Sequence, residues 1–172
     1  MLIFLTGLPG SGKTTLGKAV CDERGMEFID LDDIIEAREG KAIDKIFMTK
    51  GEDYFRELEA TVLRESADKC QGNAIISTGG GAPCFHNNMD FINGSGVSVF
   101  IDVAPRTLAI RLLEKGLDER PLLKDFSADA LLERLETLRK DRWPVYQTSS
   151  LVISDDSLTA EKLWELLKDY FH

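Results

Sequence analysis

The sequence predicts an α/β sandwich, with a five-stranded parallel sheet between layers of helix. Three observations predict it. Five short apolar runs rich in β-branched and aromatic residues recur along the 172 residues, and such near-continuous hydrophobicity suits strands covered on both faces. Helical stretches separate the runs, as parallel connections require. The first run ends in a glycine-rich loop that opens directly into a helix pattern.

In chain order, residues 2–6 form the first strand; the apolar start MLIFLTG has no basic leader or cleavage site and is not an export signal. Residues 13–24 follow as a helix, and 27–31 as the second strand. A long, charge-laced helix over 51–69 precedes the third strand, 74–78. The fourth strand is 97–103, and Pro105 opens a helix over 105–114, where a proline suits the first turn. Residues 128–142 read as a helix capped by Ser127, with Pro144 near its end. The fifth strand is 151–154, and a helix over 159–171 closes the chain. Everything fits one domain. Two excursions fit the layers less well, about 33–64 and 115–126. At the C-terminal edge of such sheets, excursions serve as substrate loops and lids.

Composition excludes several classes of function. Thirty Asp and Glu against 21 Lys and Arg leave a net charge of -9, which argues against non-specific nucleic-acid binding and against docking on anionic lipid. An anionic small substrate remains compatible, because a few cations in a cleft set the local sign. The three cysteines, Cys21, Cys70 and Cys84, form no metal-type pair and are odd in number, as in a reduced, cytoplasmic protein. No apolar run approaches the ~20 residues of a membrane span. Nothing points to an obligate interface, so a monomer is expected.

Gly7-Leu8-Pro9-Gly10-Ser11-Gly12-Lys13-Thr14 matches G-x-x-x-x-G-K-[ST] at every fixed position. Glycines let successive backbone N–H groups curl around phosphate oxygens, and the helix N-terminus that follows favours the same anion. Gly10, Ser11, Gly12, Lys13, Thr14 and Thr15 are therefore expected to bind ATP, with Lys13 bridging the β- and γ-phosphates and the Thr14 hydroxyl on Mg²⁺. No Asn-Lys-x-Asp guanine motif is present, which disfavours GTP.

The acceptor site is sought in the segments after the strands. Asp30 and Asp32 are two apart, so on extended backbone they face one side; one could hold Mg²⁺ through water while the other meets an acceptor hydroxyl. Alternatively, Asp32 or Asp33 caps the following helix. Arg56 and Glu59 are i,i+3 neighbours, either an oriented carboxylate-binding arginine or an exposed pair worth little. Gly79-Gly80-Gly81 removes every side chain just past the third strand. Arg120, inside the expected lid, suits a group that swings over the transferring phosphate. Arg139 and Arg142 share a helix face with Tyr146 beyond them, and solvated surface is the plainer reading of both. Cys84 and His86, close behind the glycines, read as structural.

Together the P-loop, Asp30-Leu31-Asp32, Phe55-Arg56-x-x-Glu59, Gly79-Gly80-Gly81-Ala82, Arg120-Pro121-Leu122-Leu123 and Arg142-x-x-x-Tyr146 resemble shikimate kinase over nearly the whole chain. The resemblance implies a P-loop kinase of the nucleoside-monophosphate-kinase-like type, strand order 2-3-1-4-5, with a substrate-binding excursion and a lid. It implies transfer of the ATP γ-phosphoryl group to the 3-hydroxyl of shikimate. Asp32 would sit at that hydroxyl. Arg56, Arg142 and the region of Gly79, Gly80 and Gly81 would grip the carboxylate, with Glu59 orienting Arg56 and Phe55 walling the pocket. Asp30 and Thr14 would serve Mg²⁺, while Lys13 and Arg120 would face the transferring phosphate. Arg111 is the nearest counterpart of the family's adenine-side arginine. Rival readings are a related kinase of gluconate or a nucleoside monophosphate, and a nucleotide-binding module without an acceptor pocket.

Overall fold

The computed structural model describes residues 1–114 and 127–171. The expected lid over 115–126, Arg120 included, lies outside the described residues. In chain order the elements are β1 (Leu2–Thr6), α1 (Lys13–Arg24), β2 (Glu27–Asp30), α2 (Leu31–Glu39), α3 (Ile43–Lys69), β3 (Ala74–Ser77), a 3-10 turn (Ala82–Cys84) and α4 (Asn88–Ser95). Then come β4 (Val97–Ile101), α5 (Pro105–Glu114), α6 (Ala128–Tyr146), β5 (Leu151–Ile153), α7 (Ala160–Leu167) and a 3-10 turn (Lys168–Phe171). The strands form one parallel sheet in the order β2-β3-β1-β4-β5, with the number and order expected.

Both faces of the sheet are covered, which is why its strands read as unbroken apolar runs. Ile3 and Leu5 enter one core with Val20, Val99, Leu108 and Leu163. Phe4, between them, points the other way and packs with Ile35, Val62, Leu63 and Ile76, as a two-residue side-chain period requires. The register aligns the strand ends: Ser77 stands opposite both Leu5 and Asp30, and Thr6 opposite Phe100. The segments leaving β1, β2 and β3 therefore emerge side by side at one edge of the sheet.

Three expectations need correction. The strand pattern across Asp30, Leu31 and Asp32 stops at Asp30, because Leu31 is already helical. Asp30 itself caps α2, accepting the Asp32 N–H at 3.0 Å; the cap is neither Asp32 nor Asp33, and the two acidic residues do not share an extended face. The helix expected from Gly51 is the second part of a longer one beginning at Ile43. Gly51 forms the kink, at φ 83° and ψ 171°, a conformation costly for any residue with a Cβ. Finally, α6 continues past Arg142 and through Pro144 to Tyr146. A proline in the last turn leaves little helix beyond it to disrupt, and Trp143 and Tyr146 both lie against Phe100 of β4.

Candidate active site

The phosphate loop leaves β1 and closes onto α1 at Gly12, whose φ of 97° lies in the left-handed region. Lys13 is buried, and its ammonium donates to the carbonyls of Gly7 at 2.9 Å and Leu8 at 3.1 Å. Ser11 is buried beside it, with its hydroxyl 3.5 Å from Lys13 Nζ. Thr14 and Thr15 sit exposed in the first turn of α1. The Thr14 hydroxyl donates to Asp30 Oδ2 at 2.6 Å and lies 3.4 Å from Ser77 Oγ. A hydroxyl and a carboxylate side by side at the rim of the loop fit the hard oxygen donors that Mg²⁺ accepts alongside water and phosphate. Among the described residues no cluster of three or more His, Cys, Asp or Glu could hold a metal, so an all-protein cage is not on offer there.

Arg111 of α5 reaches the same rim, donating to the Gly10 carbonyl at 3.5 Å and to the Asp156 carbonyl. Asp156 in turn accepts the Ala104 N–H at 2.9 Å. This ties the start of α5 to the segment after β5.

Beyond β3 the chain runs through Gly79, Gly80 and Gly81, and the reason for three glycines is visible in what surrounds them. A Cβ on Gly79 would stand 2.5 Å from Glu59 Oε1 and 3.0 Å from Asp32 Oδ1; one on Gly81 would meet the Arg56 guanidinium at 2.7 Å; one on Gly80 would meet Pro9 at 2.9 Å. The loop is thus the common wall of the phosphate loop, of α2 and of α3. Arg142 of α6 joins from the far side, donating from Nη1 to the Gly80 carbonyl at 2.8 Å. Asp32, Arg56, Glu59 and Arg142 are separated by up to 110 positions in sequence, and the loop gathers them.

Arg56 and Glu59 are not an exposed pair. Both are buried, and Nη1 of Arg56 donates to Glu59 Oε2 at 2.8 Å. Glu52 accepts from Nε and Nη2 at 3.2 Å, and the guanidinium carbon sits 4.2 Å over the Phe85 ring. Such fixing of a guanidinium on carboxylate and ring is what a directional anion site requires. Burial pushes the Glu59 carboxyl up to about 7 against the pull of Arg56, with Asp32 adding to the push. Phe55 is buried against Phe47, ring centroids 4.4 Å apart; it backs Arg56 from within the core.

Other residues have structural work. Arg139 forks onto Asp102 with two bonds of 2.9 Å and lies 4.6 Å over Trp143, which ties α6 to the end of β4. Burial raises the Cys84 thiol, and the three cysteines are free. Phe85 and Asn88 were not among the expected site residues. Their signal is an aromatic residue four positions past Gly81; in the structure His86 and Asn87, between them, take positive φ, where asparagine is tolerated.

Asn88 is fully buried. It donates to the Ala82 carbonyl at 2.9 Å and accepts from Arg64 at 2.7 Å, while Arg64 also donates to the His86 carbonyl at 3.1 Å. This amide fastens the exit of the glycine loop to α3. Asn88→Ala is expected to cost about 1–3 kcal/mol, the penalty for orphaning buried polar groups. Urea unfolding of the variant checks this, and a loss below about 0.5 kcal/mol, the range of ordinary surface changes, would sink it.

The family model for shikimate kinase matches residues 9–170. A shikimate kinase of Bacteroides thetaiotaomicron is 42% identical over 164 residues, covering 95% of this chain and 91% of that protein. The crystal structure of shikimate kinase from Bacteroides thetaiotaomicron matches with a TM-score of 0.91 at 40% identity, over 98% of each chain. The structure of an Acinetobacter baumannii shikimate kinase in complex with shikimate matches at 0.83 and 31% identity, over 99% of this chain and 95% of that one.

Proposed function

The chain belongs to the shikimate kinase family, and on that premise we propose how its cleft moves the γ-phosphoryl group of ATP onto the 3-hydroxyl of shikimate. The observation that carries the reading is the glycine loop, which packs on Pro9 of the phosphate loop and also gathers Asp32, Arg56 and Arg142. Donor and acceptor pockets share one wall, so the reacting groups can meet in line.

The triphosphate lies in the amides of Gly10, Ser11 and Gly12, with Lys13 turning from the loop carbonyls to the transferring phosphate. Arg111 borders the nucleotide's base end. Arg56, Arg142 and the amides of Gly79, Gly80 and Gly81 take the shikimate carboxylate. Asp32 accepts a hydrogen bond from the acceptor hydroxyl and takes its proton as the new O–P bond forms and the bond to ADP breaks. Thr14 and Asp30 would hold Mg²⁺ through oxygen and water, and the ion would supply charge neutralisation at the phosphates. Arg120, outside the described residues, keeps the role at the phosphate that the resemblance gives it. Phosphoryl transfer asks mainly for alignment and charge neutralisation, and this set supplies both.

The chain acts as a single domain and a monomer, in the cytoplasm. No described helix is long and apolar enough to cross a membrane. The decisive assay couples ADP release to a panel of acceptors. Shikimate-dependent release, absent with gluconate and nucleoside monophosphates, is expected; release driven better by gluconate would overturn the acceptor.

Glu59 gives the clamp a pH dependence. Above about 7 it is a carboxylate that orients Arg56; below, it is protonated and the bond loses its charge. Shikimate affinity of the nucleotide-free protein is therefore expected to weaken as pH falls from 8 to 6, and Glu59→Gln to flatten the profile. Folding has the opposite sign. Because the folded value lies above the ordinary 4.5, the folded state holds an extra proton between the two, and this contribution to stability is lost as pH rises through about 7. A wild-type affinity that is level across this range would remove Glu59 from the clamp.

A further inference from the structure

Tyr146 closes α6 with its side chain fully buried. Its ring lies on Phe100 with centroids 4.6 Å apart, and Trp143 meets the same ring edge-on at 5.9 Å. The Tyr146 hydroxyl donates to the Gly80 carbonyl, the oxygen that also accepts from Arg142 Nη1. A peptide carbonyl has two lone pairs, so both donors can be satisfied together. From the other side Gly80 meets Pro9, where an added Cβ would stand at 2.9 Å. The Gly80 peptide is held between the phosphate loop and the last turns of α6.

We propose that Tyr146 is a positioning residue for acceptor binding: its hydroxyl fixes the Gly80 carbonyl, and that carbonyl sets the orientation in which Arg142 meets the acceptor's carboxylate. The inference rests on the reading of Arg142 as one half of the carboxylate clamp. The two arginines of the clamp are oriented by different means. Arg56 has a carboxylate, Glu59. Arg142 has a neutral carbonyl on a glycine, and a dipole on flexible backbone holds a guanidinium less firmly than a charge does. A second donor on the same oxygen supplies the missing stiffness. Burial pushes the Tyr146 phenol up to about 12, so the donor proton stays on the oxygen at any working pH. A phenylalanine would fill the space against Phe100 equally well; the hydroxyl answers to Gly80.

Tyr146→Phe keeps the ring and removes the hydroxyl, with its bond to the Gly80 carbonyl and its contact with the Arg142 side chain. The KM for shikimate, and its dissociation constant by titration calorimetry, are expected to rise roughly five- to tenfold, the worth of a single hydrogen bond. The KM for ATP and kcat at saturating shikimate should change less than that. Because Tyr146 acts through Arg142, adding Tyr146→Phe to Arg142→Ala should weaken binding no further. A change within about twofold in the single variant, or an equal extra loss in the Arg142→Ala background, overturns the proposal. So does a fall in kcat with the dissociation constant kept, which would mark a merely structural role. The folded fraction, read from the circular dichroism of the same sample, corrects the constant for reversible unfolding, which raises it by the inverse of that fraction. Arg142→Ala alone separates the two levels: if it leaves shikimate affinity intact, the clamp fails and the proposal with it, whereas weakening there but not in Tyr146→Phe overturns the proposal and leaves the clamp standing.

Discussion

Replacing Asp32 with Asn is expected to lower kcat by about 10²–10³-fold, the usual worth of a positioned acid–base group, with a much smaller change in the KM for ATP. Asp32 stands in the first turn of α2, where its backbone N–H is tied to Asp30 and its carboxylate faces Gly79 near Glu59. Asparagine has nearly the same shape and still accepts a hydrogen bond, so acceptor binding should largely survive; what disappears is the charge that takes the hydroxyl proton. Steady-state kinetics with both substrates varied checks this split. A kcat within about threefold of the parent would take Asp32 out of the proton-transfer step.

The second large effect is expected from Arg56→Ala, a rise in the KM for shikimate of about 100-fold, the scale set by truncating one partner of a buried charged pair. The loss has two sources. The guanidinium fork aimed at the substrate carboxylate is gone, and Glu59, buried beside Asp32, is left without the cation that held it. Glu59 will then stay protonated further up the pH scale, and Arg142 is left to meet the carboxylate without a second cation beside it. Arg56→Lys restores the charge without the two-pronged geometry and should fall between parent and alanine variant. Shikimate affinity within about threefold of the parent in Arg56→Ala would leave the carboxylate to other groups.

The parts of this kinase that were legible in sequence are those whose cause is local. The bounds of helix α1 are legible because the phosphate loop dictates its start and Gly25, at φ 66°, its stop. The five strands were legible because burial on both faces leaves a continuous apolar mark. Residues 28–32, Phe-Ile-Asp-Leu-Asp, read two ways, as a strand by alternation and as a helix start by the aspartates; only the Asp30 cap decides, and it needs the folded corner to exist. The Arg56–Glu59 pair was visible from spacing, but whether it was buried was not, since Phe85 arrives from 29 positions away. The bond from Tyr146 to Gly80 spans 66 positions, and no local pattern announces such a contact.

Asp30 does two jobs with one carboxylate: one oxygen stops β2 from continuing by holding the next turn, and the other takes the Thr14 hydroxyl. On the proposed roles, the separation between the donor pocket and the acceptor's proton sink is thereby set by a two-residue covalent ruler. Attempts to retarget this enzyme to a longer or shorter alcohol by shifting Asp32 would drag the cation seat along. The adjustable side of the cleft is the opposite bank, α3 and α6, where reach can be altered without disturbing the ruler.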